Sequence, residues 1–263
     1  MSQTPSVNSG TTSGYLVLPG GLPEPKTMAL AVEAVDDIGP SLRQIRLRGE
    51  DLRGFRFAPG QDLMLRLPLA PGALVSRRYT IRRADPEAGL ADLNVVMHGD
   101  GPAARWANAA RPGQLLGEVV GPRGKITLDL AAKWHLFLGD ETYLPGTLAM
   151  LEALPGPAPG DAILEVAGAA EEQPVPDHEG VSVSWLHRGA GRPGEPGLLL
   201  EAVADWQIPS TPGHIYIAAE VRVALRLRDE LLGRGFAREQ ISAKGYWSRG
   251  RANAPRGEPD DPT

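Results

Sequence analysis

Four arginines fall within eight residues of this chain, in the segment SRRYTIRR at residues 76–83. Alternate side chains share a face of an extended strand, so Arg77 and Tyr79 would point one way. Arg78 and Thr80 would point the other way. A cation, a flat ring and a small hydroxyl together suit a flavin, which carries a phosphate and an aromatic ring. The alternative is an amphipathic surface strand with a packed tyrosine, since short motifs often match by chance.

A second segment with suitable chemistry follows at residues 95–113, VVMHGDGPAARWANAARPG. We expect a strand that ends at His98 and a helix that begins near Pro102, because proline suits the first helical position. Free N–H groups and small side chains at such a helix start form an anion site, which would suit the pyrophosphate of FAD. The alternative is an ordinary turn. Trp106 is interpreted as a core aromatic.

Composition excludes several classes of chemistry. The chain has 263 residues, no cysteine and a net charge of -5. Disulfides, thiol nucleophiles and iron–sulfur clusters are therefore excluded, and any electron carrier must be a bound cofactor. The acidic balance argues against nucleic-acid binding. The five histidines have no metal-ligand spacing, so no metal site is expected.

The same sequence predicts a cytoplasmic protein. No apolar stretch is long enough to span a bilayer, so no membrane insertion is expected. The N-terminal residues lack the basic start and apolar run of a secretory signal. No association motif is present, and we expect a monomer.

Two periodicities divide the chain. From Met28 to Leu128 apolar residues tend to alternate between Gly/Pro turns, which predicts an antiparallel β-barrel. From Trp134 onward strands alternate with helices, which predicts a parallel α/β sheet whose ligands lie at the carboxyl ends of its strands. The expected divisions are a tail, a β-barrel domain, an α/β domain and a second tail, at residues 1–27, 28–130, 131–251 and 252–263.

Two helices are expected in the second half of the chain. The first lies in LPGTLAMLEAL, with Leu144, Leu148 and Leu151 on one face, and the second in VRVALRLRDELLGRG. The second helix is expected to carry its apolar stripe on three residues, Val221, Leu225 and Leu232.

Seven segments, in order along residues 28–251, resemble the siderophore-interacting proteins, also called ferric-siderophore reductases. They are SRRYTIRR, VVMHGDGPAARWA, GPRG, FLGDETYLPG with LEALP, SWLHR, IYIAAE and ISAKGYWSRG. That family is similar to the ferredoxin-NADP reductases. The resemblance implies an FAD-binding antiparallel β-barrel followed by an α/β domain of the NAD(P)-binding type.

The resemblance also implies roles for individual residues. Arg77 would lie near phosphate, Tyr79 would stack on the flavin ring with Thr80 beside it, and four residues would line the pyrophosphate and adenine side: His98, Gly101, Ala103 and Ala104. Asp140, Glu141 and Thr142 would meet a nicotinamide or the adenine half of FAD, with Glu220 closing the crevice and Trp247 near the adenine. Helix capping is the alternative for Asp140 and Thr142.

Basic residues near the C-terminus are expected to bind an anionic ferric chelate. They are Lys244, Arg249 and Arg251, together with Arg82 or Arg83. The alternative is that these are solvated charges and that Tyr246 and Trp247 pack the end of the sheet.

Three departures from the family pattern bear on nicotinamide binding, and the last of them narrows the room for a dinucleotide. Tyr143 stands where a small residue is expected, Gly146 where alanine is expected, and Ala219 where glycine is usual. Arg188, after the strand in SWLHR, is expected to meet a 2′-phosphate and so to favour NADPH.

The resemblance implies an FAD-dependent oxidoreductase that reduces siderophore-bound Fe(III) to Fe(II) and so releases iron. No side chain is expected to act as a catalyst beside the flavin. NADPH or NADH is the expected donor, with reduced ferredoxin as the alternative. Two other functions stay open: a reductase that passes electrons to a flavodoxin or ferredoxin, and a module that binds a chelate without redox chemistry.

Overall fold

The computed structural model of the protein describes residues 22–97, 99, 101–156 and 158–250. Two predicted site residues, His98 and Arg251, lie outside these ranges, as does most of both predicted tails. Within the described ranges, no helix combines the length and the apolar character needed to cross a membrane.

The first half of the chain folds into an antiparallel sheet of seven strands, as the alternating pattern predicts. Its strand order is β1-β7-β4-β5-β6-β3-β2. A bridge between Ala31 and Leu115 brings the β2 edge towards the segment before β7, which curls the sheet into a partial barrel. The strands are β1 (Lys26–Met28), β2 (Ala31–Asp37), β3 (Leu42–Arg48), β4 (Asp62–Ala70), β5 (Ala73–Asp85), β6 (Leu90–Val96) and β7 (Val119–Arg123).

The alternation of apolar and polar residues along the strands decides which side chains form the core of the barrel. Leu63, Leu65 and Leu67 of β4 are at most 1% exposed, while Arg66 between them is exposed. Helix α1 (Pro102–Ala109) covers this core with Trp106, which is 6% exposed, so Trp106 is the core aromatic that the sequence indicates.

The second half forms a parallel sheet of five strands in the order β10-β9-β8-β11-β12. Strands alternate with helices, so the predicted fold class, β-barrel followed by α/β, is confirmed. The elements are β8 (His135–Asp140), α2 (Leu144–Glu152), β9 (Gly160–Val166), β10 (Val181–His187), α3 (Gly197–Asp205), β11 (His214–Glu220), α4 (Val221–Gly233) and β12 (Ile241–Trp247).

Three details differ from the sequence predictions. Lys26 and Thr27 pair with β7, so the residues before Met28 are not all tail. Helix α3 was not predicted, although Leu199 and Val203 are buried four residues apart. The predicted apolar stripe of α4 is wrong, since Leu225 is 43% exposed. The buried residues are Val223, Ala224, Leu227 and Leu231. Both sets of residues have helical spacing, so spacing alone could not show which of the two faces the core.

A histidine lies in the core at the amino end of the parallel sheet. His135 is 1% exposed, and its ring stacks on Phe137 and Tyr216 with centroid distances of 6.1 Å and 6.0 Å. Burial lowers the pKa of His135 to about 4. The imidazole is therefore neutral at pH 7.

The buried histidine should make the fold sensitive to acid. Between pH 6.5, the ordinary pKa, and pH 4 the unfolded chain binds a proton that the folded chain does not. The free energy of unfolding should fall as the pH falls through this range, with His135 contributing up to about 3 kcal/mol of the loss. His135→Phe should remove that contribution, measured by urea unfolding at pH 7 and pH 4.

The matched control is His187→Phe, whose side chain is 44% exposed. It should keep the acid sensitivity of the parent protein. Equal loss of stability in the parent and in His135→Phe would contradict the assignment.

Candidate cofactor and substrate site

Strand β5 presents different chemistry on its two faces. Tyr79 packs beside Trp106 of α1 with ring centroids 6.3 Å apart, and its burial raises the pKa of its hydroxyl. Thr80 faces the other domain, where its Oγ1 lies 3.4 Å from the hydroxyl of Tyr246. Arg77 donates from Nη1 to the carbonyl of Ser76 at 2.9 Å. The structure thus places Arg77, Tyr79 and Thr80 on the strand where the sequence predicts a flavin site.

The start of α1 carries backbone donors that the helix itself does not use. The helix begins at Pro102 as predicted, with Gly101 before it, and the first N–H groups of a helix have no partner within it. A Cβ added at Gly99 or Gly101 would meet nothing within 4 Å, so the space before the helix is open. Ala103 is half-buried, and Ala104 is buried, so Ala104 can contribute its N–H but not its side chain.

Asp140 is a buried carboxylate at the carboxyl end of β8. Its Oδ1 accepts from the N–H of Thr142 at 2.9 Å and from the Thr142 hydroxyl. Its Oδ2 accepts from the N–H of Glu220 at 3.1 Å and from Nε1 of Trp247 at 2.7 Å. Burial, together with the nearby charge of Glu141, raises the pKa of Asp140 to about 6, and the hydrogen bonds from Thr142 and Trp247 partly oppose this rise. Asp140 caps no helix; it joins the ends of β8, β11 and β12.

The side chain of Glu220 caps the N-terminus of helix α4. Its side chain accepts from the N–H groups of Arg222 at 2.7 Å and Val223 at 3.4 Å, and from the N–H of Arg249 at 3.2 Å. The residue is 2% exposed. Its role in this structure is therefore an N-cap at the crevice rather than an open wall of it.

Arg249 holds a loop over this edge of the sheet. Its Nη2 donates to the carbonyl of Pro193 at 2.7 Å, and its Nη1 lies 3.7 Å from Glu195. Gly194 packs so closely that an added Cβ would lie 2.9 Å from the Trp247 ring. Arg249 therefore has a loop contact in this structure, while its side chain stays 45% exposed, and its contact with a substrate stays a prediction.

The predicted substrate role of Arg82 also needs correction. Arg82 donates to both carboxylate oxygens of Glu152, at 2.9 Å and 2.7 Å, and its side chain is 9% exposed. Arg83 binds the same carboxylate. These bonds join β5 to α2, so Arg82 links the two domains instead of facing a chelate.

Lys244 stays beside the strand that carries the flavin-site residues. Its Nζ lies 3.9 Å from Oδ2 of Asp62 and 5.3 Å from the centre of the Tyr246 ring. Asp62 also accepts from Arg78, with distances of 2.8 Å and 2.7 Å. Burial raises the pKa of Asp62, and Arg78 lowers it in part. Sequence reasoning missed Asp62 because a lone acidic residue at the start of an alternating strand carries no signal of its own.

Arg188 is occupied by two carboxylates. Its Nη2 lies 2.8 Å from Glu141 and its Nη1 lies 2.8 Å from Glu165, and the Arg188 side chain is 6% exposed. One guanidinium between two acids leaves a local negative charge. The expected contact with a 2′-phosphate is therefore corrected, since this site would repel such a group.

Two of the three family departures compensate each other. Tyr143 is fully buried, and a Cβ added at Gly146 would lie 2.9 Å from its ring. The tyrosine ring thus fills the space that an alanine at position 146 would need. Ala219 belongs to the core cluster of α3 and α4, so its methyl group does not narrow the crevice.

Comparison with known proteins decides the family. Residues 71–126 match the model described as siderophore-interacting FAD-binding domain, and residues 132–250 match that of siderophore-interacting protein. Ferric vibriobactin reductase ViuB of Vibrio cholerae is 31% identical over 239 residues, covering 81% of this chain and 86% of ViuB. The chain belongs to the siderophore-interacting protein family.

Other relatives agree with this assignment. An uncharacterized protein of Mycobacterium tuberculosis is 36% identical over 189 residues, 66% of this chain and 65% of that protein. The crystal structure of a siderophore utilization protein from T. fusca superposes with a TM-score of 0.80 and 33% identity, covering 88% of this chain and 95% of that one. A ferredoxin reductase of carbazole 1,9a-dioxygenase, at 19% identity and a TM-score of 0.71, shares the fold.

The contact between positions 143 and 146 gives a stability prediction for this siderophore-interacting protein. Gly146→Ala should lower the free energy of unfolding by about 1–3 kcal/mol, because the new methyl group overlaps the Tyr143 ring. In a Tyr143→Ala background the same change should cost less. Urea unfolding of the four proteins gives the coupling between the two sites.

Gly233→Ala is the control, since Gly233 is also helical and an added Cβ there meets nothing within 4 Å. It should leave stability unchanged or raise it by up to about 1 kcal/mol. Equal effects of Gly146→Ala in both backgrounds would show that the two residues do not compensate.

Proposed function

We propose that this protein is an FAD-dependent ferric-siderophore reductase that releases iron by reducing chelated Fe(III) to Fe(II). The observation that carries the proposal is the arrangement of Tyr79 on β5 beside the open start of α1. This arrangement lies within residues 71–126, which match the siderophore-interacting FAD-binding domain. Support also comes from ViuB, whose name is ferric vibriobactin reductase.

The described residues fit FAD. The face of Tyr79 can stack on a flat ring, the Thr80 hydroxyl can bond a ring atom, and Arg77 lies two residues away for a phosphate. The first-turn N–H groups of α1 suit a pyrophosphate. Small residues leave the space that such a ligand needs, because an added Cβ at Gly101 meets nothing.

Bound flavin would supply the redox chemistry, since it accepts electrons in pairs and passes them on singly, as reduction of Fe(III) requires. The residues of this chain would bind the flavin and the chelate and orient them towards each other. Hard oxygen donors hold Fe(III) more tightly than Fe(II), so reduction loosens the chelate. Lys244, beside Tyr246, is the basic residue that we assign to an anionic chelate, with Arg251 as a second candidate.

The electron donor in this proposal is NADH or NADPH, bound at the carboxyl end of the parallel sheet. The pairing of Arg188 with Glu141 and Glu165 favours NADH, which lacks the 2′-phosphate. Reduced ferredoxin is the donor if neither nucleotide reduces the flavin. The cytoplasm and a monomeric state also belong to the proposal.

The visible absorption spectrum of the purified protein tests the flavin assignment. Oxidised flavin bands should bleach when NADH is added anaerobically and return on addition of a ferric siderophore. Tyr79→Ala should weaken FAD retention at least tenfold because the ring contact is lost, whereas Tyr79→Phe keeps the ring and should retain FAD. Thermal unfolding by circular dichroism checks that both variants fold.

Two outcomes would contradict this assignment. Flavin retention by Tyr79→Ala at the level of the parent would remove Tyr79 from the site. Lack of flavin bands after incubation with FAD would exclude the reductase and favour a chelate-binding module.

Donor preference should depend on Glu141. Glu141→Gln removes one of the two negative charges beside Arg188, so the apparent KM for NADPH should fall several-fold while that for NADH changes little. Steady-state reduction of a ferric chelate with each nucleotide measures both constants.

Glu172→Gln is the control, because the Glu172 carboxylate pairs with His187 at 2.7 Å. It should change neither constant. An equal fall in the apparent KM for NADPH and for NADH in Glu141→Gln would show that the Glu141 carboxylate does not discriminate at the 2′ position.

A further inference from the structure

The β4–β5 hairpin extends beyond the sheet that holds it. Strand β7 pairs with β4 between Asp62 and Leu65, and β6 pairs with β5 between Ile81 and Asp85. The hairpin itself stays paired out to Ala70 and Ala73. Within the described part of the chain, residues 67–76 therefore pair with each other and with no third strand.

The end of this hairpin is apolar and exposed. Residues 68–74, PLAPGAL, carry no charged or hydrogen-bonding side chain, and all seven are exposed. Leu69 is 38% exposed and Leu74 is 58% exposed. Gly72 completes the turn with a φ of +76°. A cluster of exposed apolar residues at one hairpin tip is a candidate interaction site.

Two arginines lie at the base of this apolar tip. Arg66 is 40% exposed; it donates to the Ser76 hydroxyl at 3.1 Å and lies 3.8 Å from Glu118. Arg77 is on the opposite strand, paired with Leu65. The protein carries a net charge of -5, yet the charged side chains nearest the tip on β4 and β5, Arg66 and Arg77, are both cationic.

We propose that residues 68–74 rest in the surface layer of an anionic phospholipid bilayer, with Arg66 at the lipid phosphates. A stable protein interface needs about 20–30 residues a side, and a seven-residue tip is too small for one. A bilayer surface requires no matching shape, and it rewards apolar side chains next to cations. The hairpin rests on the surface and spans nothing, which refines the expectation of no membrane insertion.

Docking of this kind would bring the flavin site close to the lipid. Leu74 lies three residues from Arg77 and five from Tyr79 on β5, which is about 10 Å and about 17 Å along a strand. Resting on the proposed function, the substrate class that follows is a ferric chelate with apolar chains, which partitions into the bilayer surface.

Flotation of the FAD-loaded full chain with vesicles tests the proposal. The parent protein should bind vesicles of phosphatidylcholine with 30% phosphatidylglycerol, and binding should weaken with added salt. Leu69→Ser with Leu74→Ser should reduce bound protein at least tenfold. Leu225→Ser is the matched control, because Leu225 is 43% exposed on α4, and it should bind like the parent.

The same samples separate this proposal from the reductase proposal. The double variant should keep its flavin bands and reduce a hydrophilic ferric chelate within twofold of the parent rate. Loss of reductase activity with vesicle binding intact would reject the reductase and leave the docking surface.

Lack of vesicle binding by the parent, or equal binding by the double variant, would overturn the docking surface. A dimer of the parent in size-exclusion chromatography that the double variant lacks would instead assign the tip to a second copy of this chain.

Discussion

A single buried carboxylate, that of Asp140, organises the carboxyl edge of the parallel sheet. Its four donors come from the turn after β8, the start of α4 and the indole of Trp247 at the end of β12. An ionised carboxylate can remain buried only when donors replace its lost water. The carboxyl edge of the sheet is therefore held in shape by protein contacts before any ligand binds.

The domains meet through the strand that carries the candidate flavin residues. One face of β5 packs on α1 through Tyr79, while Thr80 and Arg82 on the other side contact β12 and α2. Because the Arg82–Glu152 pair is nearly buried, losing one partner would leave an uncompensated charge in the domain interface. The position of the flavin-site strand thus depends on the second domain as well as on its own barrel.

Local patterns predicted the fold well because periods of two and of about 3.6 residues depend only on neighbouring positions. Helix α2 and the start of α1 lie where the sequence places them. The roles of Arg82, Arg188 and Arg249 were harder to predict, since each is decided by a partner far away in the chain. Glu152, for example, is 70 residues from Arg82. An exposed cation and a paired one look the same in a sequence, and only the fold distinguishes them.

The large side chain at Tyr143 requires glycine at position 146, and this requirement has an evolutionary consequence. A lineage that moves from the small-residue and alanine pattern to this one must first vacate position 146, since the ring and a methyl group compete for one space. The two positions should therefore covary among relatives. Any library or ancestral reconstruction built on this scaffold has to treat them as a single unit of variation, because shuffling them separately would discard folded sequences for a reason unrelated to flavin or iron.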